Sequence, residues 1–453
     1  MPDARFALWR DRSLRFSMGA SATVVSGLMG IIRNKWFAQH LEASGLGILA
    51  QVFSNQAWLG TAAGMGLGLP VARAIGAATA ATDQPAARRT VWAAFTLLAM
   101  TGSVVVAGGL LFAAQISQAL LGSEAYAGLI RISMIGVAGV AVQQTLVGLF
   151  AGRSDLRAPL TFSLVGGAVS VLAMFLLVPR WGLQGGALAV AILFPAGCVG
   201  ALAVHRRTYG PVLAPPREAA LTPGLARSLL TVAGAGLLAS LVEQGTFLAV
   251  RSHYVRANGI EANGFLQAGL SISQQVGSLF YAYLASYAFG KISGAAGAEG
   301  TRAYTRKHWT PIILPAAAAL IVARLCATPL LHLLYSHRFD PAEPLMAWAL
   351  VGEFGRIGLV TWGLGSLPLG GARLWFPISL VFPVALAIAY ALFAASGAGV
   401  LSMPKAYATA GLAAACVCGM VMSRRGVTLG ARDIAVFAGG AAALILLAWG
   451  AVR

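Results

Sequence analysis

Charge is scarce in this 453-residue chain, with Asp, Glu, Lys and Arg together making up 10%, where soluble domains carry roughly a quarter. Acidic residues are scarcest, 14 against 32 Lys and Arg, which gives a formal net charge of +18. With 58% hydrophobic residues and a mean hydropathy of +0.77, the composition excludes a soluble fold. The excess of cations does not point to nucleic acid, because the basic residues stand in short clusters between long apolar runs, as the positive-inside rule requires. The four cysteines, Cys198, Cys326, Cys416 and Cys418, all lie inside apolar stretches, without His or Asp at metal-ligand spacing. They predict helix-packing residues, with no metal and no cofactor. A signal peptide is not expected either: MPDARFALWRDRSLR leads into a Gly/Ser/Ala-rich span followed by Arg33 and Lys35, not into an apolar core with a cleavage site. The first helix is therefore expected to be retained.

Long apolar runs are abundant. A spanning helix needs about 20 apolar residues, and such windows fall near 14–33, 45–70, 90–114, 127–150, 158–179 and 183–204. A second series follows near 226–250, 263–289, 309–333, 344–367, 373–396 and 404–422, and a final uncharged run covers 434–452. The reading is an all-α polytopic membrane protein with thirteen spans. HRRTYGPVLAPPREAALTPGL (205–225), with four prolines and three arginines, is the natural boundary and is expected to be an exposed cytoplasmic linker. It separates a six-helix lobe over 1–204 from a second over 226–422, with an additional C-terminal helix in 423–453. With the N-terminus inside, the cytoplasmic segments hold 21 Lys and Arg and the outer segments 8, an asymmetry that predicts a cytoplasmic N-terminus.

The two series resemble each other. The first helix of each ends in Arg, an aromatic three residues on, then Glu-Ala-(Ser/Asn)-Gly: Arg33, Trp36 and Glu42–Gly45 in one, Arg251, Tyr254 and Glu261–Gly264 in the other. Beyond these, Gln56 faces Gln274 and Arg73 faces Lys291 at an offset of 218. Six spans separate the copies, so both halves enter the membrane in the same direction, as parallel repeats.

Glycines at 60, 64, 66 and 68 follow no strand and have no acidic partner at dinucleotide-binding spacing; their spacing instead lets helix backbones approach closely. Pro315, Pro329, Pro377 and Pro383 fall inside predicted helices and are expected to kink them. The informative residues are charges in mid-span, Arg131, Glu243, Arg324, Glu353 and Arg356, each costing about 2.5–3.5 kcal/mol at a helix centre. Glu353 and Arg356, three residues apart, can satisfy each other. Arg131, one turn inside its helix, can snorkel. Arg324 has no acid within four positions and is expected to face a polar cavity. Glu243 and Glu353 are candidate proton carriers, because burial favours the protonated carboxyl. Amides at Gln51, Asn55, Gln56, Gln143, Gln144, Gln244, Gln267, Gln274 and Gln275 serve either as interhelical hydrogen-bond partners or as a hydrated wall that tolerates sugars.

The stretch Ile31–Ala78, the segment GRSDLRAPLTFSLVGGAVSVLAMFLLVPRWGLQGGALAVAI (152–192) and the six-plus-six layout resemble the bacterial polysaccharide flippases of the multidrug, oligosaccharidyl-lipid and polysaccharide exporter superfamily. That resemblance implies two six-helix lobes forming a V around a cationic central cavity. It further implies movement of an undecaprenyl-pyrophosphate-linked oligosaccharide from the inner to the outer leaflet of the bacterial plasma membrane. Carried onto this chain, it makes Arg33, Arg131, Arg324 and Arg356, with Gln56, Gln143 and Gln274, the expected substrate contacts, and Glu243 and Glu353 the coupling residues. Membrane lipid and a lipid-linked oligosaccharide are the expected partners, glycan polymerases are candidates, and a monomer is expected. Three other functions compete: a drug or cation exporter, a flippase for the peptidoglycan lipid precursor, and a membrane-embedded glycan polymerase or ligase. Three mid-span arginines against two glutamates favour an anionic substrate over a cationic drug. The longest outer loops, near 251–262 and 334–344, are short for glycan-joining chemistry. His337, Asp340 and Glu343 in the second read as a polar turn, so no catalytic residue is expected.

Overall fold

A computed structural model describes residues 22–216, 221–284, 288, 292 and 297–451. Among them every regular element is helical. In chain order they are α1 (22–40), α2 (Glu42–Gly64), α3 (Gly68–Ala80), α4 (Gln84–Leu111), α5 (Ala113–Leu121), α6 (Ala127–Gly152), α7 (Arg157–Ala191), α8 (Leu193–Val204) and α9 (Arg206–Leu213). There follow α10 (Pro223–Asn258), α11 (Ile260–Tyr283), α12 (Gly297–Leu325), α13 (Ala327–Leu334), α14 (Glu343–Gly363), α15 (Ser366–Ala395), α16 (Ser402–Arg424) and α17 (Ala431–Gly450). The arginines of the N-terminal segment, Lys291 and Arg453 lie outside the described residues.

Eight stretches among the described residues are long and apolar enough to cross a membrane. One of them, 157–204, covers two expected spans; α7 bends within it at Gly182 (φ 53°, ψ −125°), close to Pro179. This left-handed conformation is open to glycine and strained for other residues. A bend of the same kind at Gly371 (φ 60°) divides α15 where the sequence separates 344–367 from 373–396. The expected spans near 14–33, 45–70, 263–289 and 344–367 are helical at α1, α2, α11 and α14 but are not among the eight. α2 and α14 carry polar groups that face other helices: Gln51, Asn55 and Gln56 in one, Glu353 in the other, all buried.

By its internal contacts the chain divides into two units, residues 1–33 with 49–245 and residues 34–48 with 246–453. The core of the first is built from Leu67, Val71, Ile75, Val91, Leu149 and Phe150. Here the glycine ladder does what its spacing predicts. A Cβ on Gly60 would lie 2.6 Å from the Val140 side chain, one on Gly148 2.3 Å from the Gly68 carbonyl oxygen, and one on Gly64 3.0 Å from Gln144, so α2 and α3 lie almost backbone to backbone against α6. The expected single span over 45–70 is broken at Met65 (φ 52°) and Gly66 (φ 64°).

The second unit is organised around α14, buried at most of its positions. It packs on α16 through Gly352, Gly355 and Gly411, where a Cβ on Gly411 would come within 2.3 Å of the Gly352 carbonyl oxygen. The additional C-terminal helix is α17. Its Phe437 stacks on Phe354 at 5.1 Å and meets Trp309 at 5.8 Å, while Leu444 and Ala448 are its buried residues. Pro329 does not kink a helix as expected. The chain already breaks at Cys326, and Pro329 sits in the first turn of α13, where its missing N–H costs no helical hydrogen bond.

The expectation of an exposed linker over 205–225 is corrected at α9. Tyr209 and Val212 are fully buried against the first unit's core. The Tyr209 hydroxyl donates to Asp155 Oδ2 at 2.7 Å, Arg88 Nε to the Pro211 carbonyl at 2.6 Å and Arg153 to that of Thr208 at 2.8 Å. Two large apolar side chains and three charged or phenolic anchors outweigh the local signal of Pro and Arg. Asp155 also accepts from the Arg157 and Ala158 amides. Burial works to raise its pKa, but the Tyr209 hydroxyl and these two amides hold it below the ordinary 3.8. Tyr209, for its part, is raised by burial and by Asp155. The cysteines divide: Cys198 and Cys418 are buried as expected, whereas Cys326 and Cys416 are exposed.

Candidate functional sites

Polar side chains gather in both units, and their arrangements differ. In the first unit, Ser26, Gly30 and Arg33 recur on one face of α1 at helical spacing. Phe53, Gln56 and Ala57 come from α2, Gln143 and Val147 from α6, Phe162 and Ser163 from α7. Together with neighbouring apolar residues they line a cavity of about 440 Å³. Ser26 donates to Ser163 at 3.0 Å across it. α1 comes close to α7 because Gly167 leaves room: a Cβ there would lie 2.8 Å from the Met29 side chain. Gln56 is held flat against α6 at Gly136, where an added Cβ would meet its amide at 2.3 Å. Gln56 is 2% exposed, and among the described residues its Oε1 has no hydrogen-bond partner. Among the described residues no carboxylate lines this cavity. The expected substrate residues Arg33, Gln56 and Gln143 are thus brought together.

Nearby amides in the same unit act as interhelical bonds instead. Thr61 Oγ1 lies within 3.4 Å of Gln144 Nε2 and of Gln244 Oε1, and Trp58 Nε1 donates to the Leu241 carbonyl. Glu243 is half-buried on α10 beside this group. Arg131 is exposed near the start of α6.

In the second unit Glu353 is fully buried. The Tyr281 hydroxyl donates to its Oε1 and the Tyr407 hydroxyl to its Oε2, both at 2.6 Å. Arg356 donates to the Tyr407 oxygen at 3.2 Å and lies over the Phe382 ring, 4.7 Å from its centroid. Gly277 on α11 makes space for the carboxylate, since a Cβ there would come within 1.9 Å of Oε1. Both tyrosines stand in apolar runs whose sequence gives no sign of a polar role; only the acid at 353 marks the place. The expected residue Gln274 is half-buried on the same helix, α11.

Arg251, noted in the sequence only as a repeat marker, is 2% exposed. It donates through Nε to Asn263 Oδ1 and through a terminal nitrogen to Gln267 Oε1, both at 2.7 Å. Asn263 Nδ2 in turn donates to the Gly47 carbonyl at 2.7 Å, where Gly47 and Gly264, from matching stretches of the two repeats, pack against each other's neighbouring backbone. Arg324, expected to face a polar cavity, meets Glu343 at 3.0 Å and donates to the Leu447 carbonyl of α17. Its acid stands 19 residues away in sequence, beyond one helix turn. At the turn between α13 and α14, His332 pairs with Asp340 at 2.6 Å and Arg338 with Glu42 at 3.0 Å. Among the described residues no group of three His, Cys, Asp or Glu is placed to hold a metal.

No protein-family profile matches the chain. A lipid III flippase of Escherichia coli (strain K12) is 24% identical over 404 residues, covering 89% of this chain and 94% of the relative, and one of Shigella flexneri matches to the same extent. Among solved structures, the inward-facing form of a multidrug-resistance MATE transporter of the MOP superfamily has a TM-score of 0.74 at 15% identity, over 88% of this chain and 94% of the other. The lipid II flippase MurJ in an inward closed form has a TM-score of 0.72 at 13% identity, over 95% and 91%. Both likenesses are of fold, and both are all-chain.

Proposed function

We propose that this chain, a multi-pass membrane flippase of the multidrug, oligosaccharidyl-lipid and polysaccharide exporter superfamily, carries an undecaprenyl-pyrophosphate-linked oligosaccharide from the inner to the outer leaflet by alternating access. It is a transporter and not an enzyme, as are its relatives. One observation carries the choice of substrate: the cavity of the first unit is lined by Arg33 with amides and hydroxyls and, among the described residues, no acid, a lining for an anionic, hydroxyl-rich headgroup and against a cationic drug. The lipid III flippase relative supports a lipid-linked glycan. A peptidoglycan lipid precursor is the second reading, favoured by the MurJ fold neighbour.

Arg33, Gln56 and Gln143 contact the headgroup in this reading. Arg324 and Arg356 are engaged with Glu343 and Tyr407 and hold the second unit together. Glu353 is the coupling residue, since its carboxyl is the one whose two oxygens both accept from phenols that can re-aim as the helices move. The N-terminus faces the cytoplasm, the membrane is the bacterial inner membrane, and the working form is a monomer with glycan polymerases as candidate partners. Reconstitution of the chain in vesicles with lipid-linked oligosaccharide, and separately with the peptidoglycan precursor, tests the reading. Delivery of the oligosaccharide and not the precursor is expected, and the reverse selectivity would replace the first reading by the second.

A further inference from the structure

The second unit has a strongly basic end that the transport reading leaves unused. Near the start of α12, Arg302 and Arg306 stand one turn apart, and the next position of the same stripe, Thr310, donates to Asp433 in the first turn of α17. This face of α12 therefore runs along the connection from α16 to α17, which carries Arg424, Arg425 and Arg432. Arg302 reaches the connection directly, since a Cβ on Gly426 would lie 3.1 Å from its Nε. Gly426 holds φ 85°, a left-handed conformation that favours glycine. Arg302 is half-buried and the other four arginines are exposed.

Among the described residues little offsets this charge. Asp433 already accepts from Thr310 and from the Gly430 amide. Glu299, one turn before Arg302, is exposed and makes no ion pair among the described residues. The carboxyl end of α16 offers about half a negative charge and the amino end of α17 about half a positive one, so the helix dipoles cancel. Arg302 Nε is buried and, among the described residues, has no acceptor; the same holds for Nε1 of Trp309, two turns along α12, and of Trp362 on α14. A buried donor left unmet costs stability, and an anion set among the arginines relieves both that cost and their mutual repulsion. The positive-inside bias accounts for cations at one end of the spans; it does not account for their convergence from segments far apart in sequence.

Two features select the anion. A guanidinium donates paired hydrogen bonds to phosphate oxygens, and arginines at the end of a spanning helix lie at headgroup depth. Directly beyond Arg432 and Asp433, α17 presents Ile434 at 56% exposure and, further along, Leu446 at 72%, so an apolar face adjoins the cations.

We infer that this end of α12, α16 and α17 binds an anionic membrane phospholipid. Its phosphate lies between Arg302 and Arg425, with Arg306 and Arg432 beside it, and an acyl chain follows the exposed face of α17. On the proposed orientation the lipid belongs to the inner leaflet. Leu444 and Ala448 are the buried residues of α17, and a lipid that bridges the three helices fastens α17 to the unit. The site goes beyond the transport reading and does not rest on it.

The test is native mass spectrometry of the purified full chain in neutral detergent, offered phosphatidylglycerol, phosphatidylcholine or inorganic phosphate. Phosphatidylglycerol should be retained and phosphatidylcholine should not. An arginine beside an anionic headgroup is worth about fivefold in affinity. Arg425→Gln should therefore weaken retention about fivefold, and the double variant Arg302→Gln/Arg306→Gln about twenty-five-fold. Arg207→Gln, which removes an exposed arginine of the first unit, should leave retention unchanged. Melting of each variant in neutral detergent checks its folding; if the double variant is unstable, Arg425→Gln alone decides. Parental retention by the folded variants, or an equal loss in Arg207→Gln, overturns the site. Equal retention of phosphatidylcholine, or displacement of phosphatidylglycerol by equimolar inorganic phosphate, overturns the assignment to an anionic lipid.

Discussion

Arg33 and Arg251 stand at matching places in α1 and α10, yet their surroundings differ. Arg251 is sealed in and met by two side-chain amides at 2.7 Å. Arg33 stands half-buried in the lining of the first unit's cavity. The same division runs through the units that hold them. The second unit closes its charges on internal partners, Glu353 on two tyrosines and Arg324 on Glu343, and the first keeps amides and hydroxyls around an open volume. Repetition by itself therefore does not identify a binding residue. One copy of the duplicated arginine is fixed by side-chain acceptors of the neighbouring helix, and the other lines a cavity.

The comparison is broken most decisively by exchanging the roles. Arg251→Ala should leave the Asn263 and Gln267 acceptors buried without a donor, a loss of about 3 kcal/mol or more, seen as a large fall in melting temperature and in yield. Arg33→Ala should melt close to the parent and lose transport. If Arg33→Ala were the unstable variant and Arg251→Ala the well-folded one, the assignment of the two roles would be reversed.

Next in size is the packing at Glu353. Gly277→Ala places a methyl where the carboxylate oxygen sits and should cost about 1–3 kcal/mol by overpacking, checked by thermal unfolding in detergent. Glu353→Gln presents an amide N–H₂ to one of two phenols that donate to it. It should remain inserted while transport stops responding to an imposed pH gradient; an undiminished response would leave Glu353 a purely structural group.

Arg324 gives a smaller effect. Its ion pair with Glu343 is partly exposed, at 13% and 30% of the side chains, so Arg324→Ala should cost about 1 kcal/mol or less and leave transport largely intact. Abolished transport at normal protein levels would restore Arg324 as a substrate contact.

The smallest effect lies in the linker. Because Asp155 is held below its ordinary 3.8, its contribution to docking α9 is fully present above that value and is lost as the pH falls through the lower folded value. Limited proteolysis of 205–222 should therefore be unchanged from neutrality down to about pH 5 and accelerate only in stronger acid. Tyr209→Phe should open the segment at neutral pH.

Much of the scaffold was legible from residues alone, because apolar runs of spanning length, the glycine ladder and the paired Arg-aromatic-Glu-Ala-(Ser/Asn)-Gly motifs act locally. The bends at Gly182 and Gly371 fall where the spans were divided. What was not legible depends on partners distant in sequence. Arg324 finds Glu343 across a helix break, α9 docks through Tyr209 onto Asp155 54 residues away, and Tyr281 and Tyr407 reach Glu353 from two other helices. Phenols in apolar runs look like packing until an acid is placed beside them. Of the expected substrate residues, Arg33, Gln56 and Gln143 converge on one cavity because three helices present them at compatible heights, a relation that no spacing along the chain encodes.

The most direct measurement is the leaflet distribution of lipid-linked oligosaccharide in vesicles carrying well-folded Arg33→Ala protein, compared with the parent. Outer-leaflet delivery should fall to the level of protein-free vesicles while the melting temperature is retained; delivery at the parental rate would contradict the assignment of the first unit's cavity to the substrate.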